Sequence, residues 1–117
     1  MLARKADDME WQAVSASGAK DCRIRELITA ADHAPTFSMR QFEVDPGGCT
    51  PHHRHPWEHE VYILSGSGVV RKDSGEIPFD AGTALLIYPD ETHSFHNTGD
   101  TPLRFLCLIP VEQLCCR

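Results

Sequence analysis

Histidine is concentrated in one short stretch of this chain. Four of the seven histidines fall within eight residues, namely His52, His53, His55 and His59. Neutral imidazole is a borderline donor that binds iron, manganese, nickel, copper and zinc, so this density indicates a transition-metal site. Because residues two apart in an extended segment face the same side, His53, His55 and His59 share one face and Glu60 has the other.

A later histidine, His93, opens another predicted strand and supplies a further ligand. The predicted metal ligands are His53, His55, His59 and His93. A kink at Pro56 would reset the alternation of side chains between the two faces after that residue. Glu60 therefore remains the alternative to His59 as a metal ligand. A surface histidine cluster without a specific metal is the other interpretation of the same spacing.

Short apolar runs separated by turn formers must position these residues. The predicted strands cover residues 22–28, 36–44, 59–64, 68–72, 83–88, 93–97 and 103–109. Clusters such as Asp45-Pro46-Gly47-Gly48 and Asp73-Ser74-Gly75 are typical of turns. Many short strands with tight turns need paired or closed edges, so the pattern predicts an all-β barrel or two-sheet sandwich.

Length and composition favour one small domain over residues 1–117, because 117 residues leave little room for a second core. Residues 1–20 are assigned to an edge strand or to an arm exchanged within a homodimer. A net charge of −6 offers no basic surface for nucleic acid. No apolar run is long enough for a membrane span or an export signal, so we expect no membrane partner and a cytoplasmic location.

The five cysteines show no paired spacing of the kind that staples secreted domains. We expect reduced thiols, with Cys115 and Cys116 in an exposed tail that has no role.

Two segments resemble the metal-binding motifs of the cupin superfamily. Residues 48–66, which contain His53, His55 and His59, are similar to the first motif, in which two histidines and a glutamate bind metal. Residues 82–89 and 93–97 are similar to the second. The resemblance implies a single-domain cupin, a double-stranded β-helix or jelly-roll barrel.

The chain departs from the usual cupin pattern at two positions. His59 stands where most cupins have the glutamate ligand, and Asp90 stands where a glycine follows the proline. A four-histidine site resembles that of small bacterial manganese cupins, and residues 55–60 and 105–110 are similar to one such group. The resemblance therefore implies one divalent metal, manganese first, with iron, nickel, copper and zinc as alternatives.

Three further residues are candidates for the pocket beside the metal. In the last predicted strand, Phe105 and Cys107 share one face, and the resemblance places them toward the metal; core packing is the alternative. Arg40 stands among apolar residues and is either a solvated edge residue or, if it points inward, a clamp for a substrate carboxylate.

Three classes of function remain open for a small-molecule substrate. Four histidine ligands on a six-coordinate metal leave two adjacent coordination positions open for a substrate. Because the ligands are neutral, the metal keeps its full positive charge, which favours binding of carboxylates, enolates and diketones. The resemblance implies a metal-dependent dioxygenase or related oxidoreductase. The alternatives are a non-catalytic binding or sensor domain and a metal-dependent isomerase or decarboxylase.

Overall fold

The structure is a computed structural model that describes residues 1–111. Its regular elements are β-strands and two three-residue 3-10 turns, which confirms the all-β prediction. The strands are β1 Gln12–Ala13, β2 Lys20–Ile28, β3 Phe37–Cys49, β4 His59–Ser65, β5 Ser67–Lys72, β6 Gly75–Asp80, β7 Ala84–Ile87, β8 Ser94–Asn97 and β9 Leu103–Pro110. Neither 3-10 turn is long enough to cross a membrane. The cytoplasmic location stays a prediction.

One curled antiparallel sheet forms the barrel. Its strand order is β6-β5-β8-β3-β9-β4-β7, and β2 pairs with both β3 and β1. The long strand β3 is central, because it contacts β2, β9 and β8. Strand β9 lies between β3 and β4 and therefore joins Arg40 to the histidine-bearing strand.

Side chains alternate strictly between the barrel interior and the outside along β4 and β9. His59, Val61 and Ile63 are buried, whereas Glu60 and Tyr62 are exposed. In β9 the buried set is Leu103, Phe105, Cys107 and Ile109. This period of two is the pattern predicted for a strand with one face on the core. It directs the site residues of both strands into the same interior.

Two local predictions are wrong. The run Asp45-Pro46-Gly47-Gly48 is part of β3, where it adds residues between the Cys22–Val44 and Lys20–Cys49 pairs instead of reversing the chain. Gly48 is required there, since a Cβ atom would lie 2.5 Å from the Lys20 carbonyl oxygen. Strand β6 is missing from the predicted strands; it contains Pro78 and is an edge strand, where proline is tolerated.

The N-terminal residues cover the outer face of β2. Trp11 lies under the Arg25 guanidinium, with the Cζ atom 4.1 Å from the ring centroid, and residues 12 and 13 form β1 against β2.

Large apolar side chains are exposed on the outside of β4 and β7, among them Tyr62, Leu86 and Tyr88. The homodimer stays a prediction. Cys22, Cys49 and Cys107 are not in disulfide bonds, and Cys115 and Cys116 lie outside the described residues.

A charge cluster joins three strands on the outer face. Glu43 in β3 stands opposite Arg23 in β2 and Arg104 in β9. It accepts a 2.7 Å hydrogen bond from Arg23 Nε and another from Arg104 Nε. Burial alone would raise the pKa of Glu43, but these two hydrogen bonds outweigh burial and lower the pKa below its ordinary value. The ionised carboxylate therefore stabilises the fold.

Replacing Glu43 should test this stabilisation. We expect Glu43→Gln to lower the free energy of unfolding by about 1–3 kcal/mol at pH 7, because two guanidinium groups lose a charged partner. The Asp45→Asn variant, a matched control at a half-exposed partner of the same Arg23, should lose much less. Urea denaturation gives both values.

The Glu43 effect should depend on pH. A lowered pKa in the folded state means that the stabilisation is complete above the ordinary carboxyl pKa and is lost as the pH falls through the lowered value. The difference between the natural protein and Glu43→Gln should therefore shrink below about pH 4.5. A difference that stays constant from pH 7 to pH 3 would contradict this account.

Candidate metal centre

Backbone pairing brings the two histidine-bearing segments together. His53 N–H donates to the His93 carbonyl at 3.1 Å, and His93 N–H donates to the His53 carbonyl at 2.9 Å. Nearer β3, Thr50 exchanges backbone and side-chain hydrogen bonds with Phe95. Residues 49–53 therefore run antiparallel to residues 93–96, and the side chains of His53 and His93 face the same interior.

Three histidines form a group that could hold a metal ion. One ring nitrogen each of His53, His55 and His93 lies within 4.8 Å of the other two. The rings stand edge to face, with the His93 centroid 5.1 Å from that of His53 and 5.2 Å from that of His55. Within residues 1–111, no second group of this kind is found.

His59 touches this group through His55. The two Nε2 atoms are 2.7 Å apart, and the rings are stacked at 4.3 Å between centroids. A contact this short needs one proton between the nitrogens. Two neighbouring imidazole ligands at about 2.1 Å from one ion lie about 3 Å apart, so an ion in place of that proton requires little movement.

A hydrogen bond and burial keep the His93 imidazole in the neutral form that can bind a metal. Its Nδ1 lies 2.8 Å from the Glu91 carbonyl oxygen, which can only accept, so Nδ1 carries the hydrogen and Nε2 keeps its lone pair. Burial lowers the pKa of His93 to about 4. The imidazole is therefore neutral near pH 7, as a metal ligand must be.

A column of three rings leads outward from the site. Trp57 stacks on His55 with centroids 4.4 Å apart, and His55 stacks on His59. His55 Nδ1 lies 3.4 Å from the Trp57 carbonyl oxygen. Trp57 thus forms a wall of the site and holds the orientation of the His55 ring.

A cavity beside the histidines contains the other predicted pocket residues. Its lining consists of Arg40, Phe42, Thr50, His53, His59, His93, Phe95, Phe105 and Cys107. Arg40 points inward and is 2% exposed, with its Cζ atom 5.2 Å from the Phe42 ring centroid. The cavity is small: the volume open to water is about 10 Å³, room for about one water molecule.

Three cavity residues were not found from the sequence. Phe42 and Phe95 contact Phe105, at 5.2 and 4.9 Å between ring centroids, and form an aromatic base under the histidines. Thr50 completes the lining. Phe42 has the same parity as Arg40 in β3, and that shared parity was a usable signal.

His52 and His96 lie outside this group. His52 Nδ1 and His96 Nε2 both contact the Ser94 hydroxyl, at 3.1 and 2.9 Å. His52 is half exposed, and its Nε2 lies 3.8 Å from Asp73. Their opposite parity directs them away from His53 and His93.

Metal content should separate the two sets of histidines. We expect His53→Ala combined with His55→Ala to remove stoichiometric metal, because two members of the three-histidine group are lost. His52→Ala combined with His96→Ala is the matched control and should retain it. Elemental analysis of protein purified without an affinity tag measures both. Full metal in the first double variant would place the site elsewhere.

The chain was compared with known proteins at the levels of sequence and structure. The family model for the cupin domain matches residues 40–109. An oxalate-binding protein of Thermotoga maritima is 37% identical over 84 residues, which cover 71% of this chain and 69% of that protein. The 1-methylthio-D-xylulose 5-phosphate methylsulfurylase of Rhodospirillum rubrum is 38% identical over 82 residues, and the match spans only 50% of its length.

The fold is shared with a solved enzyme. The structure of the polyketide cyclase RemF from Streptomyces resistomycificus superposes with a TM-score of 0.91 and 36% identity, covering 100% of this chain and 84% of that one. The family model spans more than half of the 117 residues, and its range contains the four clustered histidines and His93. This chain therefore belongs to the cupin family.

Proposed function

We propose that this chain is a metal-dependent enzyme that acts on a small anionic or dicarbonyl metabolite. The proposed ligands for one divalent transition metal are His53, His55, His59 and His93, with manganese as the metal. The observation that carries the proposal is a buried imidazole cluster that shares its cavity with Arg40, with no carboxylate among the described residues that line it.

The donor chemistry supports a four-histidine site. His55, His59 and His93 are 9%, 2% and 2% exposed, so their lone pairs are withdrawn from solvent. Glu60 is exposed and has the opposite parity to the buried His59, which favours His59 over Glu60 as the ligand. All four proposed ligands are neutral, and a divalent ion among them would keep its full charge.

Arg40 supports an anionic ligand. Its guanidinium is charged at any physiological pH, and low polarity in the interior strengthens its attraction for an anion. We propose that it holds one carboxylate or enolate oxygen, while the aromatic base of Phe42, Phe95 and Phe105 excludes water. The cavity has room for about one water molecule, so even a ligand of a few heavy atoms would require side chains to move, which favours a small ligand. The relative described as an oxalate-binding protein is consistent with a small anionic ligand.

We propose oxidation of the dioxygenase type as the reaction, in line with the resemblance to metal-dependent cupins. A bound redox-active metal would supply the activation of substrate and dioxygen. The residues of this chain orient the substrate through Arg40, keep water out with the three phenylalanines and keep the His93 imidazole neutral through burial. These tasks do not depend on which small metabolite is bound.

A second candidate is a cyclase-type reaction of a diketone without dioxygen. It is favoured by the similarity over the whole chain to the polyketide cyclase RemF. The same cavity would stabilise an enolate beside Arg40. The two candidates differ in the consumption of oxygen and in the size of the substrate.

Oxygen uptake distinguishes these reactions. Untagged protein loaded with Mn²⁺ or Fe²⁺ should consume dioxygen with one class among small dicarboxylates, 1,2- and 1,3-dicarbonyls and catechols. The metal-free protein and the His53/His55 double alanine variant serve as controls and should not. Turnover of a diketone without oxygen uptake would favour the cyclase, and binding without turnover of any class would contradict the enzyme proposal.

Charge at position 59 should control anion binding. We expect His59→Glu to bind metal but to weaken oxalate binding, because a negative charge about 4 Å from the anion opposes it by up to about 4 kcal/mol at an effective dielectric near 20. His59→Gln is the neutral control. Calorimetric titration of oxalate at matched metal content measures the change. Equal oxalate affinities for the natural protein and His59→Glu would mean that His59 is not a metal ligand or that the anion does not bind at the metal.

A further inference from the structure

One sulfur atom lies between the proposed metal site and the buried guanidinium. Cys107 Sγ is 3.0 Å from Arg40 Nη2 and 3.0 Å from His59 Nδ1. The three side chains come from β3, β9 and β4, and each is 2% exposed. Cys107 stands directly opposite Arg40 in the β3–β9 register. It also pairs with Val61, two residues beyond His59 on the same face of β4.

We infer that Cys107 is a positioning residue whose sulfur holds the His59 imidazole and the Arg40 guanidinium in one fixed arrangement. This inference rests on the proposed function, because it takes His59 as a metal ligand. It gives Cys107 a role other than core packing and other than contact with the substrate.

The direction of the hydrogen bonds follows from the chemistry of the three groups. A guanidinium can only donate, so Arg40 donates to Sγ. When His59 Nε2 binds a metal through its lone pair, Nδ1 carries the hydrogen and donates to Sγ as well. The sulfur then accepts both hydrogen bonds, and it fixes the tautomer and the ring orientation of His59.

The strand geometry makes this arrangement rigid. β9 is hydrogen-bonded to β3 on one side and to β4 on the other, so the Cα positions of the three residues are set by the sheet. The Cys107 side chain has a single χ1 torsion, is 2% exposed and lies between Phe105 and Ile109 on the buried face of its strand. Movement of the sulfur would therefore displace both partners.

Two substitutions distinguish a hydrogen-bond role from simple packing. Cys107→Ala removes the acceptor, whereas Cys107→Ser keeps an acceptor of similar shape. Orienting partners of metal ligands contribute about 10- to 100-fold to metal affinity. We expect Cys107→Ala to weaken Mn²⁺ binding by this amount and Cys107→Ser to recover most of it. Cys22→Ala, which truncates another buried free cysteine, should leave the Mn²⁺ affinity unchanged.

The experiment is a calorimetric titration of Mn²⁺ into these proteins, repeated with Cys107→Ala in a His59→Ala background. Because Cys107 acts through His59, the alanine at 107 should cause no further loss of Mn²⁺ affinity when His59 is absent. Thermal unfolding of the metal-free variants shows whether each one is folded, and Cys107→Ser decides the question if Cys107→Ala is not.

The outcomes separate the two proposals. If His59→Ala leaves Mn²⁺ affinity at the natural value, His59 is not a ligand, and both the proposed ligand set and the role of Cys107 fail. If His59→Ala weakens Mn²⁺ binding but Cys107→Ala does not, only the positioning role is overturned. Equal losses from Cys107→Ala in the two backgrounds would also overturn it, since the cysteine would then act independently of His59.

Discussion

Burial of neutral imidazoles next to a permanently charged guanidinium is the constraint on which this molecule depends. Removing a histidine from water disfavours its charged form, and at His93 this lowers the pKa to about 4. A neutral imidazole keeps a lone pair for a metal, while the same low polarity makes Arg40 a strong attractor for an anion. The barrel has to supply an enclosed interior, because neither effect would operate on the protein surface.

Strand pairing determines which side chains enter that interior. The reciprocal hydrogen bonds between His53 and His93 fix two distant segments against each other, and β9 links Arg40 to the strand of His59 through Cys107. On the outside, Glu43 joins Arg23 and Arg104 across β2, β3 and β9, and two of these strands, β3 and β9, also carry Arg40 and Cys107. The position of the site is therefore tied to the stability of the β2–β3–β9 part of the sheet.

The sequence allowed the fold class and much of the site to be predicted, because both depend on a period of two. Alternation identified the inward faces of β4 and β9, and it separated His53 and His55 from His52. The exceptions have local causes. Proline and glycine act as turn formers in general, but an edge strand tolerated Pro78 and an irregular strand pairing used Gly48.

Contacts between distant residues were not predictable from one sequence. Nothing in the spacing indicates that Cys107 lies between Arg40 and His59. Cys107 is 67 residues from Arg40 and 48 residues from His59 in the sequence, and only the sheet register brings them together. The pairing of Thr50 with Phe95, which are 45 residues apart, is of the same kind. Such contacts depend on tertiary packing, which local patterns do not encode.

X-ray absorption spectroscopy of untagged, manganese-loaded protein tests the central claim most directly. The account predicts four imidazole groups in the first coordination shell, oxygen donors in the remaining positions and no sulfur. A bound sulfur atom would contradict it, because Cys107 would then be a ligand instead of a partner of His59, and a shell with fewer than four imidazoles would contradict the proposed ligand set.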